Sequence, residues 1–118
     1  LYLPAEMTLI RAEVLARQDK IADANIELNK VLTKSTDPYG VFANLPVYNG
    51  PQTKEAVLLE IYKQRCIELY LSGLKLDDSR RFGRPGPLDA NFERNRNFYP
   101  YPNSERDNNR NTPDDPEV

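Results

Sequence analysis

The sequence predicts an all-α protein, and three observations carry that prediction. Between residues 4 and 33, apolar residues recur at three-and-four spacing in two short segments parted by Gln18, Asp19 and Lys20. Between residues 53 and 83 a longer apolar-rich run opens on a threonine suited to cap a helix and closes on a glycine. After Phe82 the apolar content falls away, so the last third cannot build a core of its own and is expected as an irregular arm packed on the helices.

The first segment, Pro4 to Arg17, has proline where a first helical turn tolerates it, and Met7, Ile10 and Val14 with Ala12 and Ala16 mark its expected buried face. The second, from Ile21 to about Thr33, repeats the spacing with Ile21, Ala24, Leu28 and Val31. So short a turn between them requires antiparallel packing. A hairpin of this size is the unit of tetratricopeptide-like repeats, in which small residues such as Ala12 and Ala24 let helices nest. No second copy follows at a fixed spacing. Such repeats need about three units to bury a continuous core, so neighbours are expected from the residue-53 helix or from chain beyond this sequence.

Residues 34–52, "KSTDPYGVFANLPVYNGPQ", are punctuated by Asp37-Pro38, Gly40, Pro46, Asn49-Gly50 and Pro51, and so predict a loop. Connections beyond about 12 to 15 residues are usually functional or disordered. Disorder has no use for Tyr39, Phe42 and Tyr48, and the expectation is that these rings anchor the loop on the helices, with a ligand-facing role as the alternative.

The central helix spans residues 53–83. Thr53 is its expected N-cap and Glu55 sits near the positive end of its dipole. Val57, Leu58, Ile61, Tyr62, Cys66, Leu69 and Tyr70 give one apolar stripe, and Leu59, Ile67, Leu71 and Leu74 widen it towards a second face that also needs cover. Glu60 with Lys63, and Arg65 with Glu68, stand three apart and can pair. The helix meets Gly73, continues or restarts through Leu74 to Phe82, and stops at Gly83. In residues 84–118 Pro100 and Pro102 fix an extended "YPYP" segment, and Asn103 or Ser104 is expected to cap a short helical turn around Glu105 to Asn108. The end, "TPDDPEV", is expected to fray.

Composition narrows the chemistry. The 16 basic and 18 acidic residues nearly cancel, so no global field recruits nucleic acid or an anionic membrane. A mean hydropathy of -0.71 excludes a chain rich in membrane spans, and no run approaches the roughly 20 apolar residues a span needs. One cysteine, Cys66, forms no internal disulfide and reads as a small buried hydrophobe. The absence of histidine removes Ser-His-Asp and Cys-His catalysis and the commonest zinc ligand. Hydrolysis would rest on carboxylates such as Asp77 with Asp78, or Glu60 with Glu68. Glycosidase carboxylates face each other across a cleft at roughly 5 to 9.5 Å, which sequence neighbours on a helix do not do. Asp78, Arg80 and Arg81 read as groups that neutralise one another, complement the helix end and dock the tail. The Arg94 to Asn97 stretch lacks the basic surface and stacking pattern that RNA needs.

Three pieces, in order, resemble one family: "YLPAEMTLIRAEVLARQDKIADANIELNKV", "EIYKQRCIELYLSGLKLDDSRRFG" and "RNFYPYPNSERDNN". Together they resemble the C-terminal part of the SusD/RagB family of surface glycan-binding lipoproteins. The matching positions are Arg65, Glu68, Leu69, Gly73, Asp78, Arg80, Arg81, then Pro100, Pro102 and Glu105. Ser72, Leu76, Asp77 and Arg106 depart from the usual pattern.

What the resemblance implies is a tetratricopeptide-like helical protein, lipid-anchored at an N-terminus absent from this chain to the outer surface of a Gram-negative outer membrane. Its partners would be an oligosaccharide or polysaccharide and a TonB-dependent outer-membrane transporter to which the glycan is delivered. It would work without catalysis, metal or cofactor and without nucleic acid. No glycan-binding residue carries over position by position, so none is assigned this way. The competing readings are a helical-repeat scaffold that binds protein without sugar and, third, an intracellular hydrolase. The chain opens without methionine and already in helical register, and is expected to be the C-terminal portion of something longer.

Overall fold

A computed structural model describes residues 3–115. Among them the regular structure is helical throughout: α1 (Pro4–Arg17), α2 (Ile21–Leu32), α3 (Lys54–Glu68), α4 (Lys75–Arg81) and α5 (Asn103–Asn108). The chain divides into two compact units, the first reaching Lys75 and the second starting at Leu76.

In the first unit α1, α2 and α3 pack on one another. Helix α1 starts on Pro4 and ends in a Schellman turn, with Asp19 left-handed at φ 62°. There the Lys20 amide donates to the Leu15 carbonyl and the Asp19 amide to the Ala16 carbonyl. Lys54, the first residue of α3, adds a cation to that end: its Nζ donates to the Arg17 carbonyl at 2.9 Å and to the Asp19 carboxylate at 3.3 Å.

The buried face of α1 is only half the expected one: Ala12 and Ala16 are buried as expected, but the bulky residues placed beside them are not. Ala5, Leu9, Ala12, Glu13 and Ala16 are buried, whereas Met7, Ile10 and Val14 are exposed. The sequence carries two apolar stripes on this helix, and the alanine stripe lets a neighbouring backbone approach more closely than the bulkier one does. Buried Glu13 is paired with Arg17, which donates to it at 2.8 Å, and buried Glu27 takes Arg11 at 3.1 Å and Lys30 at 2.7 Å. On α2 the expected Ala24, Leu28 and Val31 are buried.

Helix α3 begins as the sequence requires, with Thr53 Oγ1 accepting from the Ala56 amide at 3.3 Å. Val57, Ile61, Tyr62 and Leu69 of the expected stripe are buried, but Tyr70 at its end is exposed, and the second apolar face is not closed, since Ile67 and Leu71 are exposed. The helix stops at Glu68 and restarts at Lys75, with Leu71 (φ 63°) and Gly73 (φ 85°) both left-handed in the break. Cys66 is half-buried with Lys75 Nζ 3.0 Å from its sulfur, so it is less secluded than its place in the stripe suggested.

The second unit is held by polar groups. Among its described residues, Asp78 and Ser79 are the buried ones. Arg81 pairs with Asp78 at 2.6 Å, Arg80 lies 4.7 Å from the centre of the Phe98 ring, and Arg84 pairs with Glu93. Helix α4 ends in a Schellman turn with Gly83 at φ 62°. Helix α5 follows Pro102 with no side-chain cap, so neither Asn103 nor Ser104 plays the expected role. A proline at that position already fixes the entry of the chain. Residues 112–115 are tied down rather than frayed: Thr112 Oγ1 donates to the Glu105 carbonyl at 3.1 Å, and Asp115 accepts from the Tyr101 amide at 3.0 Å and pairs with Arg106 at 3.1 Å. Pro116, Glu117 and Val118 lie outside the described residues.

Candidate functional site

Exposed chemistry in the first unit gathers on the loop of residues 34–52. Its neck is closed by backbone bonds from the Asn44 amide to the Lys34 carbonyl (2.9 Å) and from the Leu45 amide to the Leu32 carbonyl (2.8 Å). Asn44 turns the chain there at φ 45°, a conformation that asparagine tolerates better than most residues. Residues 35–43 therefore form a tip closed on itself.

The tip stands on a charged base. Lys34 Nζ donates to Asp37 Oδ2 at 2.8 Å and to Glu68 Oε2 at 2.6 Å, and Asp37 Oδ1 accepts from the Tyr39 amide at 2.9 Å. Burial pulls the Lys34 pKa down, but hydrogen bonds to Asp37 and Glu68 and the charges of both outweigh it and leave the pKa raised. Lys34 and the Tyr39 amide hold the Asp37 carboxyl below its ordinary value. Gly40 is wedged against this base, where a Cβ would lie 2.5 Å from Asp37 Oδ2 and 3.1 Å from Glu68 Oε2.

Above the base, Tyr39 is 72% exposed and Phe42 64%, with Val41 between them also open. Anchoring was the expected role of these rings; it is met by Tyr48 and not by the other two. The Tyr48 amide donates to Asn29 Oδ1 at 2.8 Å, and its hydroxyl donates to the Pro51 carbonyl at 3.0 Å. Its ring lies so close over Gly50 that a Cβ there would come within 2.7 Å of it. Tyr39 is tied to the base through its amide, and the exposed rings of Tyr39 and Phe42 present faces that can meet a ligand.

Beside Tyr48 lies a shallow depression of about 260 Å³ with Leu32, Leu45, Val47, Asn49 and Glu60 in its lining. Glu60 Oε1 accepts from Gln64 Nε2 at 2.9 Å, and its other oxygen lies 3.5 Å from Lys63. Burial, and secondly the Glu60 charge, raise the Tyr48 hydroxyl pKa. In the second unit a larger depression of about 370 Å³ is lined by Leu88, Asp89, Arg94 and Asn97. Arg94 is occupied there: its Nε donates to Asn97 Oδ1 at 3.0 Å and its Nη1 to the Arg84 carbonyl. It fastens the chain, and the lining holds no aromatic side chain.

The carboxylates weighed for hydrolysis all have basic partners: Glu60 with Lys63, Glu68 with Lys34, Asp77 with Arg80 at 3.7 Å and Asp78 with Arg81. Among the described residues no group of three or more His, Cys, Asp or Glu could hold a metal ion, and no helix is long and apolar enough to cross a membrane. Helical spacing offers Arg65 as the partner of Glu68 and Lys63 as the surface partner of Glu60. The structure gives Glu68 to Lys34 and puts Glu60 in a pocket wall. Only the loop's return over the helices makes either visible.

The sequence model of the SusD family matches residues 4–117, nearly the whole chain. The chain belongs to the SusD family. This family consists of glycan-binding proteins that serve nutrient uptake and are not enzymes, and it is associated with the outer membrane at the cell surface. Searches of curated proteins and of solved structures return no match to this SusD-family chain.

Proposed function

We propose that this chain is the C-terminal part of a cell-surface receptor that captures oligosaccharide or polysaccharide and passes it to a TonB-dependent outer-membrane transporter. An N-terminal lipid anchor would hold the receptor to the membrane, and the α1–α2 hairpin would serve as one tetratricopeptide-like unit of its scaffold. The observation that carries the reading is the display of Tyr39 and Phe42 on a clamped loop of a SusD-family chain. Sugar rings have apolar C–H faces that stack on such side chains.

The test is affinity electrophoresis of the full-length protein in gels containing polysaccharide. Retardation by at least one polysaccharide, reduced in the Tyr39→Ala/Phe42→Ala double variant and without release of reducing ends, supports the reading. No retardation by any of a broad panel refutes it. Delivery is tested by co-purification of the receptor with a barrel from the outer membrane.

A second reading, a scaffold that binds a protein helix, rests on the exposed Met7, Ile10 and Val14 stripe. Retention of a peptide partner with indifference to all sugars would select it.

A further inference from the structure

We propose that the depression beside Tyr48 holds one neutral sugar ring and turns away anionic ones. The proposal rests on the glycan-binding reading above and assigns it a subsite and a substrate class. At about 260 Å³ the space falls just below the roughly 300 Å³ at which drug-sized pockets begin, so it suits a single ring better than a chain.

The lining supplies the three things a sugar ring needs. Tyr48 is a platform fixed before binding, since its amide, hydroxyl and ring are held by Asn29, Pro51 and Gly50. Leu45 and Val47 continue the apolar surface at the rim. Asn49 is exposed, and its planar amide is available to bond vicinal hydroxyls. Glu60 keeps acceptor capacity beyond the bond from Gln64, and sugar hydroxyls can donate to it.

Charge sets the class. Glu60 is the charged residue of the lining, and its side chain is 19% exposed while that of its partner Lys63 is 59% exposed. Water screens the lysine more than the carboxylate, so the field inside the depression is negative. A uronate or sulfate group placed there meets repulsion with no basic side chain in the lining to offset it. Neutral hydroxyls meet an acceptor.

The experiment is calorimetric titration of the full-length protein with neutral oligosaccharides (gluco-, xylo-, manno- and galacto-) and with oligogalacturonate and sulfated oligosaccharides. The variants are Asn49→Ala, whose side chain holds nothing in the fold, and Glu60→Gln, checked by melting temperature. The expected result is binding of a neutral series, weakened about tenfold by Asn49→Ala, and a narrower gap between neutral and anionic ligands in Glu60→Gln. Anionic ligands binding more tightly than neutral ones overturns the proposal. So does a neutral ligand whose affinity ignores both variants but falls in Tyr39→Ala/Phe42→Ala, which leaves the glycan-binding reading standing. Failure of every carbohydrate to bind overturns both.

Discussion

The Lys34 ammonium stands 2.6 Å from Glu68 Oε2, joining the first residue of the long loop to the last residue of α3. A carboxylate at a helix C-terminus opposes the helix dipole, and Glu68 is also fully buried at its side chain. Lys34, 13% exposed, offsets both costs. Lys34→Ala leaves that carboxylate buried without its cation and is expected to lower unfolding free energy by about 3 kcal/mol. Chemical denaturation checks this, and a loss no larger than that of an exposed ion pair would contradict it.

The same base makes a pH prediction. The Lys34 pKa is raised above its ordinary 10.5, so folding holds the proton more tightly, and this contribution is complete below 10.5 and vanishes as pH climbs through the folded value. Asp37 is lowered from 3.8, so its contribution is complete above 3.8 and vanishes as pH falls through the folded value. Melting curves from about pH 2 to about pH 12 for the native chain and Lys34→Met should differ most in the middle and converge at both ends. A constant difference would be evidence against the base.

Leu71 holds a left-handed conformation at φ 63° while 88% exposed, so it bears backbone strain without gaining burial. Leu71→Gly is expected to raise stability by about 1 kcal/mol. A lower melting temperature in that variant would mean the exposed leucine packs in solution.

Gly50 carries the Tyr48 ring within the space of a methyl group. Gly50→Ala is expected to cost about 1 kcal/mol in stability and, by lifting the platform, to weaken saccharide binding more than Asn49→Ala does. Titration beside a melting curve separates the two effects.

The α1–α2 hairpin, the Thr53 cap and the stop at Gly83 were legible because spacing and end chemistry are local, whereas the break of the central helix already after Glu68, ahead of Gly73, was not. The packed face of α1 was legible only in part: Ala12 and Ala16 are buried as expected, but Leu9 packs with them instead of Met7, Ile10 and Val14, and only the presence of α2 and α3 decides which large residues go inside. The candidate site was half legible. Aromatics in a long loop announce themselves, but Tyr48 turning inward while Tyr39 and Phe42 face water depends on Asn29, nineteen residues earlier. The partner of Glu68 lies thirty-four residues away on a connection whose path no periodicity encodes.

Lys34 is bolted to the end of α3 and Lys54 to the end of α1, so the segment between them leaves and rejoins the helices at set points. Lengthening such a segment is cheap, since each doubling adds only about 0.6 kcal/mol of closure entropy. Residues 35–43 can thus be rewritten or extended while the helical base stays as it is, which makes the tip a place where a receptor of this build could acquire a new taste without learning to fold again.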